Sequence, residues 1–172
     1  MMDSSPFETM LSDFGPEIFA YLWRVVGDGP EAEDCLQDTF LRAFKASPGV
    51  EEIENPRAWL YTIAGNVART HLRRRGNHAA RNVNLDEERS DDGASVERIV
   101  EGRQELEKLH RAVQLLPYKQ RAALMLRKYQ GLEYAEIAAV LGGTQDAARA
   151  NVYQGLRRLR AEFARMARTE EG

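Results

Sequence analysis

Asn66, Arg69, Arg73 and Arg74 stand in a stretch of thirty residues, 55–84, that holds six arginines and not one Asp or Glu. One amide among guanidinium groups, with no carboxylate nearby, suits phosphate contact with some reading of base edges. At 100° per residue, Thr62, Asn66, Arg69 and Arg73 share an arc of roughly 60° on one helix. Gly65 lies beside that arc and leaves room for a close backbone approach. A second polar set is Arg149, Ala150, Asn151, Tyr153, Gln154, Arg157 and Arg158. Its amides match adenine, and Gln154 is expected to pair with it bidentately, whereas its arginines match guanine or phosphate. A third set has a different chemistry: Leu41 is ringed by Asp34, Gln37 and Asp38, with Arg42 adjoining. An apolar centre with an acidic rim is a docking patch for a basic partner. No catalytic constellation is visible. His71, His78 and His110 lack Cys or carboxylate partners at ligand spacing, so they are expected to face solvent or join a basic patch. No metal or cofactor is expected. Cys35 falls on the edge of a buried stripe and reads as a packed thiol rather than a redox switch.

Each set needs a helix to hold it. Among 172 residues, 22 Ala and 17 Leu outnumber 10 Val and 5 Ile, a balance that favours helix over sheet. Pro30 after Asp28-Gly29 opens the helix of the docking patch. Asn55 as N-cap and Pro56 at the first position open the arginine-bearing helix, whose inner stripe is Trp59, Leu60, Ile63, Ala64 and Val67. The run Arg73-Arg74-Arg75 is expected to track a nucleic-acid backbone. From Leu106 helical periodicity runs to Pro117; a helix follows from about Tyr118 to Tyr129, and Gly131 ends it. Glu133 to Leu141 is a short helix, Gly142-Gly143 a turn, and Thr144 caps a last helix with Ala148, Val152, Leu156, Leu159 and Phe163 inside. A short helix, a glycine turn and a longer basic helix form a helix-turn-helix, whose second helix enters the major groove.

The net charge of −3 conceals layers. Residues 1–54 sum to −9, 55–84 to +6, 85–107 to −6 and 108–172 to +6. Two basic blocks separated by an acidic stretch point to two nucleic-acid contacts on two bodies. That stretch includes Leu85-Asp86-Glu87-Glu88-Arg89-Ser90-Asp91-Asp92-Gly93-Ala94-Ser95 and has too few apolar residues to bury a face. The chain is therefore read as all-α: two small helical domains, 1–83 and 104–172, joined by an acidic flexible linker at 84–103. Each half is small for a core and gains from packing on a partner. One cysteine excludes an intramolecular disulfide. No apolar run reaches the roughly 20 residues of a membrane span, and the start lacks the pattern of a secretory signal, so a cytoplasmic location is expected.

Three segments resemble a known family. Ala32-Glu33-Asp34-Cys35-Leu36-Gln37-Asp38-Thr39-Phe40-Leu41-Arg42-Ala43 is similar to the core-polymerase-binding helix of bacterial RNA polymerase sigma factors of the extracytoplasmic-function (ECF) group. Trp59-Leu60-Tyr61-Thr62-Ile63-Ala64-Gly65-Asn66, with the arginines to Arg75, is similar to their helix for the minus-ten promoter element. Leu116-Pro117-Tyr118-Lys119-Gln120-Arg121, continuing through Gly131-Leu132-Glu133-Tyr134-Ala135-Glu136-Ile137-Ala138, is similar to their minus-thirty-five domain. The resemblance covers nearly the whole chain in the family's order. It implies a first domain (region 2) that docks on core polymerase through Asp34, Gln37, Asp38, Leu41 and Arg42. The same domain would recognise the minus-ten element through Thr62, Asn66, Arg69, Thr70, Arg73 and Arg74. It implies a second domain (region 4) that recognises the minus-thirty-five element through the set from Arg149 to Arg158, and an anti-sigma factor as a further partner. The acidic linker would follow a channel made for RNA.

Departures from the family pattern concern specificity. Thr70 stands where an Asp is frequent. The run Arg149-Ala150-Asn151 and the outer Gln154 replace a Lys/Arg-Ser-Arg run followed by an Arg. The loop Ser47 to Glu54, where the family captures a flipped base, has no aromatic residue, so backbone and polar groups are expected to hold that base. Two other readings remain at this point: a stand-alone helix-turn-helix regulator, and a helical protein-binding adaptor.

Overall fold

The computed structural model describes residues 5–46, 52–81 and 100–172, the side chains of 78–81, 100 and 101 excepted. Among the described residues there are seven helices and no strand: α1 (Pro6–Val26), α2 (Gly29–Ala46), α3 (Pro56–Arg81), α4 (Val100–Gln114), α5 (Tyr118–Lys128), α6 (Tyr134–Leu141) and α7 (Gln145–Glu170). The capping chemistry read from the sequence is in place. Asn55 Oδ1 accepts from the Ala58 N–H at 3.1 Å, and Thr144 Oγ1 from the Ala147 N–H at 3.1 Å. Asp28 Oδ1 accepts from the Glu31 N–H at 2.9 Å and starts α2. Gly131 and Gly142 adopt φ of 69° and 71°, left-handed values that favour glycine.

Two differences stand out. Residues 100–103, read as linker, form the first turn of α4, where Glu-Gly-Arg-Gln follows Val100; the rest of that stretch lies outside the described residues. The second difference is α1, which the periodicity reading passed over. Ser5 and Glu8 close it with a reciprocal capping box at 3.2 and 3.0 Å. Met10, Ile18, Tyr21, Leu22, Val25 and Val26 make it a central element of the core.

That core is one cluster running from Met10 to Val152, so the two halves share it. Within the first half α1, α2 and α3 pack on one another; within the second, α7 packs on α4, α5 and α6. Between halves, α4 and α5 lie on α1 while α6 lies on α3. The partner that each small half needs is the other half.

Polar contacts along this seam converge on the end of α1. Gln114 Nε2 donates to the Arg24 carbonyl at 2.7 Å, and Arg121 Nη1 to the Val25 carbonyl. Arg75 Nη1 reaches the Val26 carbonyl at 3.1 Å, and His110 Nε2 lies 3.0 Å from the Gly27 carbonyl. Four successive carbonyls that a helix end leaves without intrahelical donors thus meet four side chains, three of them from the second half. Arg121 also donates through Nη2 to the Gln114 and Leu116 carbonyls, both at 3.0 Å. Burial, with Arg75 nearby, lowers its pKa from the ordinary arginine value, yet a guanidinium remains charged. A second joint is built on Arg57, which grips Glu17 through Nε and Nη2 and donates Nη2 to the Gln130 carbonyl. Tyr61 donates to Glu17 Oε2 at 2.9 Å, within 3.0 Å of Gln130 Oε1.

Candidate nucleic-acid interface

The face of α2 expected to dock is open. Asp34, Gln37 and Arg42 are exposed and Asp38 is half-buried, while Leu41 is 52 % exposed. Asp38 and Arg42 pair at 3.0 Å across one helical turn. Phe44, three residues beyond Leu41 and 63 % exposed, enlarges the apolar centre; its i+3 spacing from Leu41 was the available signal. Its ring meets Phe7 of α1 edge-on at 5.2 Å between centroids. Behind this face Cys35 is buried, and burial beside Glu31, Asp38 and Asp34 pushes its thiol pKa up to about 11, which makes it a packed, unreactive thiol.

The arginine-bearing arc on α3 divides into exposed and engaged residues. Asn66, Arg69, Arg73 and Arg74 are exposed; Thr62 and Thr70 are half-buried. Thr62 Oγ1 donates back to the Ala58 carbonyl at 3.0 Å. Thr70, His71 and Arg74 line a cleft of about 220 Å³ together with Asp34, Asp38 and Arg42 of α2. The acidic docking rim and the basic arc therefore meet in one groove. Arg75 departs from its expected place on a nucleic-acid backbone. It pairs with Glu31 at 2.8 Å and tethers the end of α1, because its position turns it toward the core side. The close approach at Gly65 is made by the second half: Tyr118 donates to the Gly65 carbonyl at 2.9 Å, and a Cβ on Gly65 would stand 3.4 Å from Val140 Cγ1. Asn66 and Arg69 border a narrow crevice whose far wall is Tyr118, Lys119, Val140 and Leu141.

The outer face of α7 is unobstructed. Arg149, Ala150, Tyr153, Gln154, Arg157 and Arg158 are exposed and Asn151 is half-buried. Arg149 pairs with Asp146 at 3.2 Å, and its guanidinium lies 4.8 Å from the centre of the Tyr134 ring. Gln154 Oε1 already accepts from Gln120 Nε2 at 3.2 Å, a contact that helical periodicity could not reveal.

The histidines were expected to face solvent or join a basic patch; His71 lines the cleft beside Arg42 and Arg74, while His110 does neither. His110 is half-buried, stacked on Trp23 at 4.8 Å; His71 Nε2 lies 3.2 Å from Glu31 Oε2. His78 falls among the undescribed side chains, as do residues 47–51 of the loop assigned to base capture. Among the described residues no three His, Cys, Asp or Glu side chains are grouped as metal ligands. No helix among them is long and apolar enough to cross a membrane.

A three-helix module with an acidic patch and an arginine arc, packed on a helix-turn-helix module with a polar outer face, defines a helical DNA-binding protein that also docks on another protein. The Sigma-70 region 2 family matches residues 10–78, and the Sigma-70 region 4 family matches residues 106–159. The chain is 31 % identical over 147 residues to the RNA polymerase sigma-H factor of Pseudomonas aeruginosa, covering 81 % of this chain and 76 % of that one. It is 28 % identical over 164 residues to the ECF RNA polymerase sigma factor SigE of Mycolicibacterium smegmatis, covering 92 % and 62 %. The fold is similar to that of the sigma factor RpoE from Bartonella quintana, solved in complex with the anti-sigma factor NepR. There the TM-score is 0.75 at 24 % identity, over 94 % of this chain and 98 % of that one. The chain belongs to the sigma-70 family of RNA polymerase sigma factors, in its ECF group. Its function is promoter-specific initiation of transcription.

Proposed function

We propose that the three faces divide this function among them. Asp34, Gln37, Asp38, Leu41 and Arg42 dock on a basic surface of core RNA polymerase. Asn66, Arg69, Arg73 and Arg74, edged by Thr62 and Thr70, engage the minus-ten element. Arg149, Ala150, Asn151, Tyr153 and Gln154 read the minus-thirty-five element in the major groove, while Arg157 and Arg158 hold its phosphates. The observation that supports this division best is exposure. On α2 and α7 the residues facing away from the shared core are the ones whose chemistry suits polymerase and DNA. The acidic docking face complements a basic partner, and the arginines complement phosphate. The protein acts as a non-catalytic initiation factor in the cytoplasm. Its further partner is an anti-sigma factor, for which the cleft lined by Trp23, Leu106, Leu109, Val113, Met125 and Tyr129 offers an apolar seat.

Run-off transcription with core polymerase on a set of candidate promoters tests the reading. The expected result is promoter-dependent transcript only when both proteins are present. Sequence-specific duplex binding by the free protein, with no effect on polymerase, would favour a stand-alone regulator instead.

A further inference from the structure

One residue on the outer face of α7 is held from beneath. Gly155 lets α7 close on the start of α5: a Cβ there would stand 3.0 Å from the Gln120 carbonyl oxygen and 3.4 Å from the Gln120 Cβ. At this approach the buried Gln120 side chain, 8 % exposed, extends its amide to Gln154, and Nε2 donates to Gln154 Oε1 at 3.2 Å. Gln120 Oε1 has no partner among the described residues. Reversing the Gln120 amide would bury its NH2 at that unpartnered position, and orphaned buried N–H groups are rarer than under-satisfied oxygens. The orientation in which Gln120 gives and Gln154 accepts is the less costly one, because it leaves only an oxygen unpaired.

We propose that Gln120 is a specificity-determining positioning residue, turning the Gln154 oxygen inward so that only its NH2 is offered to the DNA. This rests on the reading of Gln154 as a base-facing residue. A free glutamine amide gives and takes one hydrogen bond at adenine N7 and N6. With its oxygen turned toward Gln120 beneath it, the group left facing outward is the NH2, which gives. A donor alone suits base edges that present acceptors without an amino group, namely guanine N7 and O6 or thymine O4. The amino groups of adenine and cytosine find no acceptor on it.

The test is selection of a randomised minus-thirty-five element by the full chain with core polymerase at fixed salt. Wild type, Gln154→Ala, Gln120→Glu and Gln120→Leu are compared. Wild type is expected to prefer guanine or thymine at one position, and Gln154→Ala to flatten that position alone. In Gln120→Glu the new carboxylate lies in the first turn of α5, where a helix end tolerates negative charge. It can only accept, so Gln154 turns its NH2 inward and shows its oxygen. The preferred base then moves to adenine or cytosine, with about a tenfold change in the ratio. Gln120→Leu frees the amide and admits adenine. A merely structural role would weaken binding without moving the preferred base. If Gln154→Ala leaves every position unchanged, the base-facing reading fails and the inference with it. If Gln154→Ala flattens one position but both Gln120 variants keep the wild-type base there, only the role of Gln120 is overturned. A wild-type preference for adenine or cytosine at that position overturns it too. Should Gln120→Glu fail to fold by circular dichroism, Gln120→Leu still decides.

Discussion

The two faces proposed to meet DNA are in opposite situations. On α7 the polar face is open along its length, while on α3 Asn66 and Arg69 look across a crevice at α5 and α6. Both helices touch α6. Elements named minus ten and minus thirty-five lie about 25 base pairs apart, which is about 85 Å at 3.4 Å per pair. α3 and α7 have 26 residues each, about 39 Å at 1.5 Å per residue, so with both packed on α6 their proposed faces fall short of that span. In the proposed division of labour this packed form is the DNA-free form, with the upstream reader accessible and the downstream one half shut. Binding both elements requires the seam to open, and the seam's own contacts set the cost.

The comparison breaks most completely at Arg121. Arg121→Met removes a buried guanidinium from the Val25, Gln114 and Leu116 carbonyls, and unpaired buried acceptors are costly. The expected loss is about 3 kcal/mol of stability, seen as a lower Tm and, where the halves still fold, a larger radius of gyration by small-angle scattering. An unchanged radius and Tm would show that the seam does not depend on this residue.

Next in size is Asp38→Arg, which leaves the seam alone and tests the docking face. It places a cation beside Arg42, its present partner, and against the basic surface that core polymerase would offer. Core affinity is expected to fall about tenfold or more, roughly 1.4 kcal/mol, with Asp34→Arg weaker in the same titration and helix content intact in both. Asn66→Ala then sharpens the contrast between readers. Promoter opening should fall through the downstream element by about 1 kcal/mol, the low end for a lost base contact, while core binding is unchanged. The smallest effect belongs to Arg157→Ala on the open face. If that guanidinium holds phosphate, binding weakens alike on all sequences and the salt slope drops by about 1.

How far the sequence could be read follows the same division. Caps and turns were legible because their chemistry is local: Asn55, Pro56, Thr144 and Gly142 act within a few residues of themselves. The outer faces of α2 and α7 were legible because helical spacing separates a polar side from an apolar one. The seam was not. Arg121 finds Val25 across 96 positions and Arg57 finds Gln130 across 73, and both bond to backbone carbonyls, which every residue has. The sequence reading therefore put Arg75 on a nucleic-acid backbone when it holds the fold, and gave Arg57 no role at all. For α1 the signal was present in Ser5, Pro6 and Glu8, but Gly15-Pro16 reads as a break in a helix that runs straight through them. The orientation of Gln154 depends on Gly155 and Gln120 meeting in space, which no single-helix projection contains.

The stacking of Trp23 on His110 gives this molecule a gauge of its own state. The chain has two tryptophans. Trp59 lies on α3, half-buried against the shared core, and the indole of Trp23 sits at the end of α1 with an imidazole from α4 laid over it. That indole is already 40 % exposed, and when the halves part it loses the imidazole as well. The tryptophan emission of the chain thereby reports whether the Trp23–His110 stack across the seam is still made, on the native protein and without a dye.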